Sequence, residues 1–114
     1  MTKQSYVLSH EAGLDLVEIE DYTAREWGDA QAESYIRALF LAFEKLARNP
    51  QLGRRRADVP GPFLVYNVGR HLIVYRFQEV RDRLEILNIL HPSMDIAARM
   101  KQALNRRKQR LTKQ

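Results

Sequence analysis

Apolar residues recur along this chain at two spacings, and the change between them divides it into a helical first half and a strand-rich second half. Tyr6-Val7-Leu8 is short and β-prone and predicts a first strand. Ser9 then reads as a helix N-cap, with Glu11 in the first turn where the helix dipole favours an acid. Ala12, Leu16, Ile19 and Trp27 mark one face at helical spacing, with Tyr22 at its edge. Gly28 ends this helix and Asp29 caps the next, in which Ala32, Tyr35, Ile36, Leu39, Phe43, Leu46 and Ala47 form a continuous stripe. Asn49-Pro50 stops it. So short a junction between two long helices predicts an antiparallel helical hairpin.

A loop with Pro50, Gly53, Pro60 and Gly61 follows, then three β-prone runs: Phe63–Val68, His71–Phe77 and Leu84–Leu90. The connections Gly69-Arg70 and Val80–Arg83 are of hairpin length. Pro92 ends the last run, and Ser93 is placed to cap a final helix with Ile96, Met100, Ala103 and Leu104 on its apolar face. Past Asn105 the pattern turns polar and basic, and fraying is expected. The fold class is therefore α+β: a strand, an antiparallel helical hairpin, a three-stranded antiparallel meander and a C-terminal helix. Strict alternation puts Ile73, Tyr75 and Phe77 on one face, opposite Leu72 and Val74. It puts Leu84, Ile86 and Leu90 opposite Leu87 and Ile89. Both sheet faces are thus apolar, and the hairpin covers only one; the other calls for the tail helix, a partner, or both.

Composition narrows the chemistry. The 114 residues suit one domain, read as a body over 1–98 and a basic helix or tail over 99–114. Without cysteine there is no disulfide, thiolate zinc site or cysteine nucleophile, and a reducing compartment fits. The longest strongly apolar run, Ala38–Phe43, has six residues, against the about 20 that a membrane span needs. The N-terminus leads into a strand-like segment instead of a signal-peptide core, so a soluble cytoplasmic protein is expected. His10, His71 and His91 lack metal-ligand spacing, and Gly53, Gly61 and Gly69 are isolated turn glycines, so neither metal nor cofactor is expected. Charge is uneven: residues 11–33 hold eight acids and one base, whereas seven bases and no acid follow from Arg99, bringing the net charge to +5. The basic end suits an acidic or nucleic-acid partner, or is simply a solvated tail.

Five segments in order resemble the ParE toxins of bacterial toxin–antitoxin modules. They are Tyr6–Ser9 with Asp15-Leu16, Ile19 and Tyr22; Trp27-Gly28 with Gln31-Ala32 and Tyr35; Leu46–Pro50 with Leu52–Arg54 and Asp58; Gly69–Arg76; and Ile89–His91 with Met94-Asp95. The likeness spans about residues 5 to 96 and implies the fold of the ParE/RelE superfamily. It departs at Gly61, which Pro62-Phe63 follow where ParE members often carry a base. The resemblance implies inhibition of DNA gyrase without chemistry of its own. The alternative it implies is mRNA cleavage in the ribosome, as by RelE-type members. Either activity implies neutralisation by a cognate acidic antitoxin, here ParD-like, in a hetero-oligomer.

Candidate residues divide accordingly. If the protein is a nuclease, Arg76 would stabilise a phosphorane and His91 would shuttle a proton, provided adjacent strands bring them together. The alternative is that Arg76 ion-pairs with an acid such as Asp95 and His91 closes the strand end. No tyrosine follows Tyr75, and no lysine lies between Lys45 and Lys101, so the acid–base set is thin and no catalytic residue is favoured. Arg54, Arg55, Arg56, Arg70 and Arg76 are candidates for antitoxin or target binding. So are Arg106 and Arg107 in the tail, where packing offers no role and DNA phosphate is a candidate partner.

Overall fold

A computed structural model describes residues 5–112. The elements run β1 (Tyr6–Leu8), α1 (His10–Trp27), α2 (Asp29–Arg48), a 3₁₀ turn (Pro50–Leu52), β2 (Leu64–Val68), β3 (His71–Gln78), β4 (Arg83–Leu90) and α3 (Ile96–Thr112). The sheet order is β1-β4-β3-β2. The meander is antiparallel, while β1 lies parallel to β4, with Tyr6 opposite Leu84 and Leu8 opposite Ile86.

The ends of α1 depend on two small residues. Ser9 caps its start by accepting from Ala12 N–H at 3.0 Å. Gly28 takes φ +94°, donates its N–H to the Ala24 carbonyl, and accepts the N–H of Ala32 at 3.1 Å. One residue thus ends α1 and starts α2, and Asp29 is the first residue inside α2 instead of its cap.

The hairpin packs Leu16 and Ile19 of α1 and Leu39, Phe43 and Leu46 of α2 onto Ile73, Tyr75, Leu84, Ile86 and Ile89. A second core lies on the opposite face, where Ile96 and Met100 of α3, with Val59 and Phe63 of the preceding loop, cover Val65, Leu72, Val74, Leu87 and Leu90. The tail helix and this loop therefore supply the second cover. Strict alternation misplaces Ile89 and Leu90, which exchange faces. Val74 pairs with Asn88 but Tyr75 with Ile86, so Leu87 is an extra residue in β4, and this bulge inverts the side-chain parity beyond it. The stripe on α1 is also shorter than its spacing suggests: Tyr22 is 57% and Trp27 64% exposed.

The largest departure from expectation is at the C-terminus. Ser93 does not cap α3; Asp95 does, its Oδ1 accepting from Ala98 N–H at 3.1 Å. The helix also does not fray at Asn105. Arg107 reaches Glu85 of β4 at 2.5 Å, and Arg110 forms a bidentate pair with Glu11 at 2.6 and 2.9 Å. Glu85 and Glu11 are only 6% and 4% exposed. Arg76 also pairs with Glu85, at 2.9 Å, in place of Asp95. Two of the tail's arginines are therefore counter-ions to buried carboxylates, and packing does account for them. The acidic first helix and the basic last one meet within the molecule.

Removing Arg110 leaves the Glu11 carboxylate buried without its partner. Arg110→Ala should lower stability by about 1–3 kcal/mol, and Glu11→Gln in the same chain should restore part of the loss. Urea unfolding checks this against Arg37→Ala, which breaks an exposed pair with Glu33 and should cost almost nothing. Equal losses in the two arginine variants would mean that the end of α3 contributes no more than a surface contact.

Candidate functional site

The basic residues singled out by sequence fall in separate places. Arg54 bridges to Val65 alongside β2, through two backbone hydrogen bonds of 2.9 Å, and its guanidinium donates to Asn67 at 3.2 Å. Arg55 is exposed, and Arg56 pairs with Asp58 at 2.6 Å. Arg70 is exposed in the β2–β3 turn, and Arg106 is exposed on α3. Arg76 lies over the Phe63 ring and is held by Glu85. Arg76 and His91 are not brought together. Arg76 sits opposite Glu85, whereas His91 follows Leu90, whose partner is Leu72 at the other end of β3.

What His91 meets instead is His71. Their rings stand edge to face, with centroids 5.5 Å apart. The Tyr35 hydroxyl lies 2.6 Å from His71 Nδ1, accepts from Arg70 N–H at 3.1 Å, and lies 3.2 Å from the Val68 carbonyl oxygen. His91 Nδ1 accepts from Ser93 N–H at 3.1 Å and lies 2.7 Å from Ser93 Oγ. This cluster floors a groove of about 770 Å³ between the α1–α2 junction and the far end of the sheet. Asp15, Glu18, Tyr22 and Trp27 form the α1 wall, and Arg70 and Arg99 also line the groove. The turn approaches α2 so closely that a side chain at Gly69, which has φ +54°, would overlap the Tyr35 ring.

Sequence reading missed Tyr35 and His71. Tyr35 fits the apolar stripe of α2, and its only signal is a hydroxyl that needs a partner when half-buried. His71 opens β3 beside a hairpin turn, and nothing local marks it. The meeting depends on contacts between residues 36 positions apart.

Burial disfavours the charged forms of His71, Asp15 and Tyr35, which line the groove. Burial, and then the neighbouring His91 ring, push His71 down from 6.5 to about 4. Burial raises Asp15, although its carboxylate accepts from Ile89 N–H at 2.8 Å and Asn88 Nδ2 at 3.0 Å. Burial likewise raises Tyr35. Among the described residues no group of three or more His, Cys, Asp or Glu side chains is arranged to hold a metal. No described helix is long and apolar enough to cross a membrane.

Comparison with known proteins agrees with this architecture. The family model described as the ParE toxin of type II toxin-antitoxin system, parDE, matches residues 6–96. Toxin ParE1 of Mycobacterium tuberculosis is 34% identical over 91 residues, 80% of this chain and 92% of the relative. Toxin ParE1 of Caulobacter vibrioides is 34% identical over 95 residues, covering 83% and 96%. Toxin ParE of Escherichia coli is 31% identical over 96 residues, covering 84% and 92%. A solved chromosomal ParDE toxin–antitoxin system from P. aeruginosa shares the fold. It has a TM-score of 0.67 and 16% identity, over 78% of this chain and 96% of that one. The fold is that of a type II toxin. The chain belongs to the ParE toxin family.

A pH dependence follows from His71. Its folded pKa lies below the unfolded one, so the unfolded chain binds the proton first as pH falls. Stability should be level above about 6.5 and decline towards about 4. Raised Asp15 opposes the decline at its acid end. Glu11, lowered by the Arg110 hydrogen bonds, extends it. Urea midpoints measured across this range should fall for the native chain and fall less for His71→Gln. Parallel curves would show that His71 titrates alike in both states.

Proposed function

We propose that this toxin arrests replication by acting on DNA gyrase through protein contact, and that a ParD-like antitoxin neutralises it. Family membership supports the module. The observation that carries the choice of target is the position of Arg76, which is tied to Glu85 and kept at the opposite end of β3 from His91. Arg76, the arginine that the sequence offered for phosphoryl transfer, is thus committed to an ion pair and lies away from His91.

One observation favours the second reading, a ribosome-dependent mRNA endoribonuclease. Tyr35, His71 and His91 are protonable groups gathered in one groove with Arg70 and Arg99. One pair of assays separates the two readings. Purified toxin is incubated with gyrase, supercoiled DNA and ATP, and in parallel with translating ribosomes. Gyrase inhibition without mRNA cleavage is expected. His91→Ala should leave growth inhibition intact. Loss of toxicity in a variant that melts normally would favour the nuclease.

Antitoxin binding is assigned to Arg54, Arg55, Arg56 and Arg70, which are exposed or half-exposed and suit an acidic segment. Raising salt should slow association more than it speeds dissociation, and stopped-flow kinetics checks this. An association rate indifferent to salt would remove these arginines from the encounter.

For DNA phosphate the tail offers Arg106, Lys101 and Lys108, since Arg107 and Arg110 hold Glu85 and Glu11. Truncation after Asn105 would therefore remove two core contacts along with the charge. Changing Lys101, Arg106 and Lys108 to alanine together is the cleaner test. It should weaken gyrase inhibition most at moderate salt while leaving the melting temperature in place. Unchanged potency across a salt series would assign the tail to stability alone.

A further inference from the structure

The loop that carries Arg54, Arg55 and Arg56 is tied to the sheet through the hydroxyl of a buried tyrosine. Tyr75 of β3 is fully buried, with its ring among the apolar residues under the helical hairpin. Its hydroxyl reaches beyond them to the 3₁₀ turn after α2. There it donates to the Pro50 carbonyl at 2.7 Å and accepts the Gly53 N–H at 2.8 Å. A phenylalanine would fill the same core, so what the hydroxyl adds falls on the loop. The approach is so close that a side chain at Gly53 would overlap the phenol oxygen. The next residue, Arg54, is held by its two backbone bonds to Val65 of β2. Two successive residues are thus fixed to two neighbouring strands, and this sets where the arginines leave the sheet.

We propose that Tyr75 is a positioning residue for recognition of an acidic peptide segment: its hydroxyl holds the loop so that Arg54 and Arg55 keep fixed places before the segment arrives. That the segment belongs to the antitoxin rests on the reading above; the positioning does not. Each guanidinium already has a seat. Arg54 gives one N–H to Asn67 Oδ1 at 3.2 Å and keeps the rest of its fork for a carboxylate. Arg55 is exposed and lies so near Gly61 that a side chain there would overlap its guanidinium. Arg56 is paired with Asp58, so it braces the loop and offers less charge to a partner. Long side chains that are ordered beforehand lose less entropy on binding. The Tyr75 hydroxyl is buried and touches no partner itself, so its effect passes through Gly53 to the arginines that follow.

Hydrogen exchange and peptide binding on the full chain provide the test. In Tyr75→Phe the amides of Gly53 and Arg54 should exchange about tenfold faster, the equivalent of one lost hydrogen bond. The amide of Ile73 in the same strand should keep its protection. The binding probe is fluorescein-labelled octaglutamate at low salt, read by anisotropy. It should bind Tyr75→Phe about threefold to tenfold more weakly than the native chain. In a chain already carrying Arg54→Ala and Arg55→Ala, adding Tyr75→Phe should cost nothing further, because the hydroxyl acts through those side chains. Gly53→Ala presses on the same contact from the loop side and should reproduce the weaker binding, which keeps the test decisive if the phenylalanine variant folds poorly. Equal affinity of the native and Tyr75→Phe chains would overturn the proposal. So would an equal loss in both backgrounds, which would make the hydroxyl merely structural. A loss seen with a DNA duplex and not with the peptide would overturn it in favour of a phosphate partner. Neutralisation by the module's antitoxin is scored separately in a growth assay. Normal neutralisation of the double alanine chain, alongside weak peptide binding, would end the antitoxin reading and leave the positioning in place.

Discussion

The strand β4 is covered on both faces and on one flank only in part, and the rest of the molecule is arranged around that constraint. β1 pairs with it no further than Ile86. Beyond that point the edge of β4 still presents the Leu87 carbonyl and the Ile89 N–H inside the protein. Backbone groups in that position must find partners. α1 supplies both: Ser9 Oγ donates to the Leu87 carbonyl, and Asp15 accepts from Ile89 N–H at 2.8 Å. The helix cap and a single carboxylate thereby end the sheet, and they hold α1 at the distance that opens the groove.

Glu85 of β4 follows the same logic on the face that α3 covers. Glu85 is buried and is tolerated because Arg76 and Arg107 approach it from two elements. Arg110 does the same for Glu11. Apolar burial at Ile96 and Met100 anchors the first turns of α3, and these ion pairs anchor its last ones. Replacing either carboxylate by an apolar residue would change what the end of α3 rests on, and not merely a charge on the surface.

Elements were legible wherever the information was local. The stripe of α2 from Ala32 to Ala47, the capping role of Ser9 and the glycine at 28 each follow from a few neighbouring residues. Features set by distant pairing were not. The faces of Ile89 and Leu90 depend on a bulge visible only in the register with β3. The parallel partner of β1 depends on a strand near the other end of the chain. The acidic first helix and basic last segment were plain as composition, but that Arg110 of one pairs with Glu11 of the other required knowing that α3 crosses the start of α1. Of the groove, His91 was legible as a residue at a strand end. Tyr35 and His71 were hidden because a core stripe and a strand opening explain them adequately.

The parallel pairing of β1 bears on how the toxin is born. Among the described strands its sheet neighbour is β4, so the first strand to leave the ribosome waits for the last. Glu11 waits longer still, for Arg110. A contact map weighted towards such distant pairs delays completion until nearly the whole chain has emerged. A nascent fragment that stalls before residue 84 lacks both the partner of β1 and His91. The groove is therefore assembled only in a toxin whose translation has almost finished.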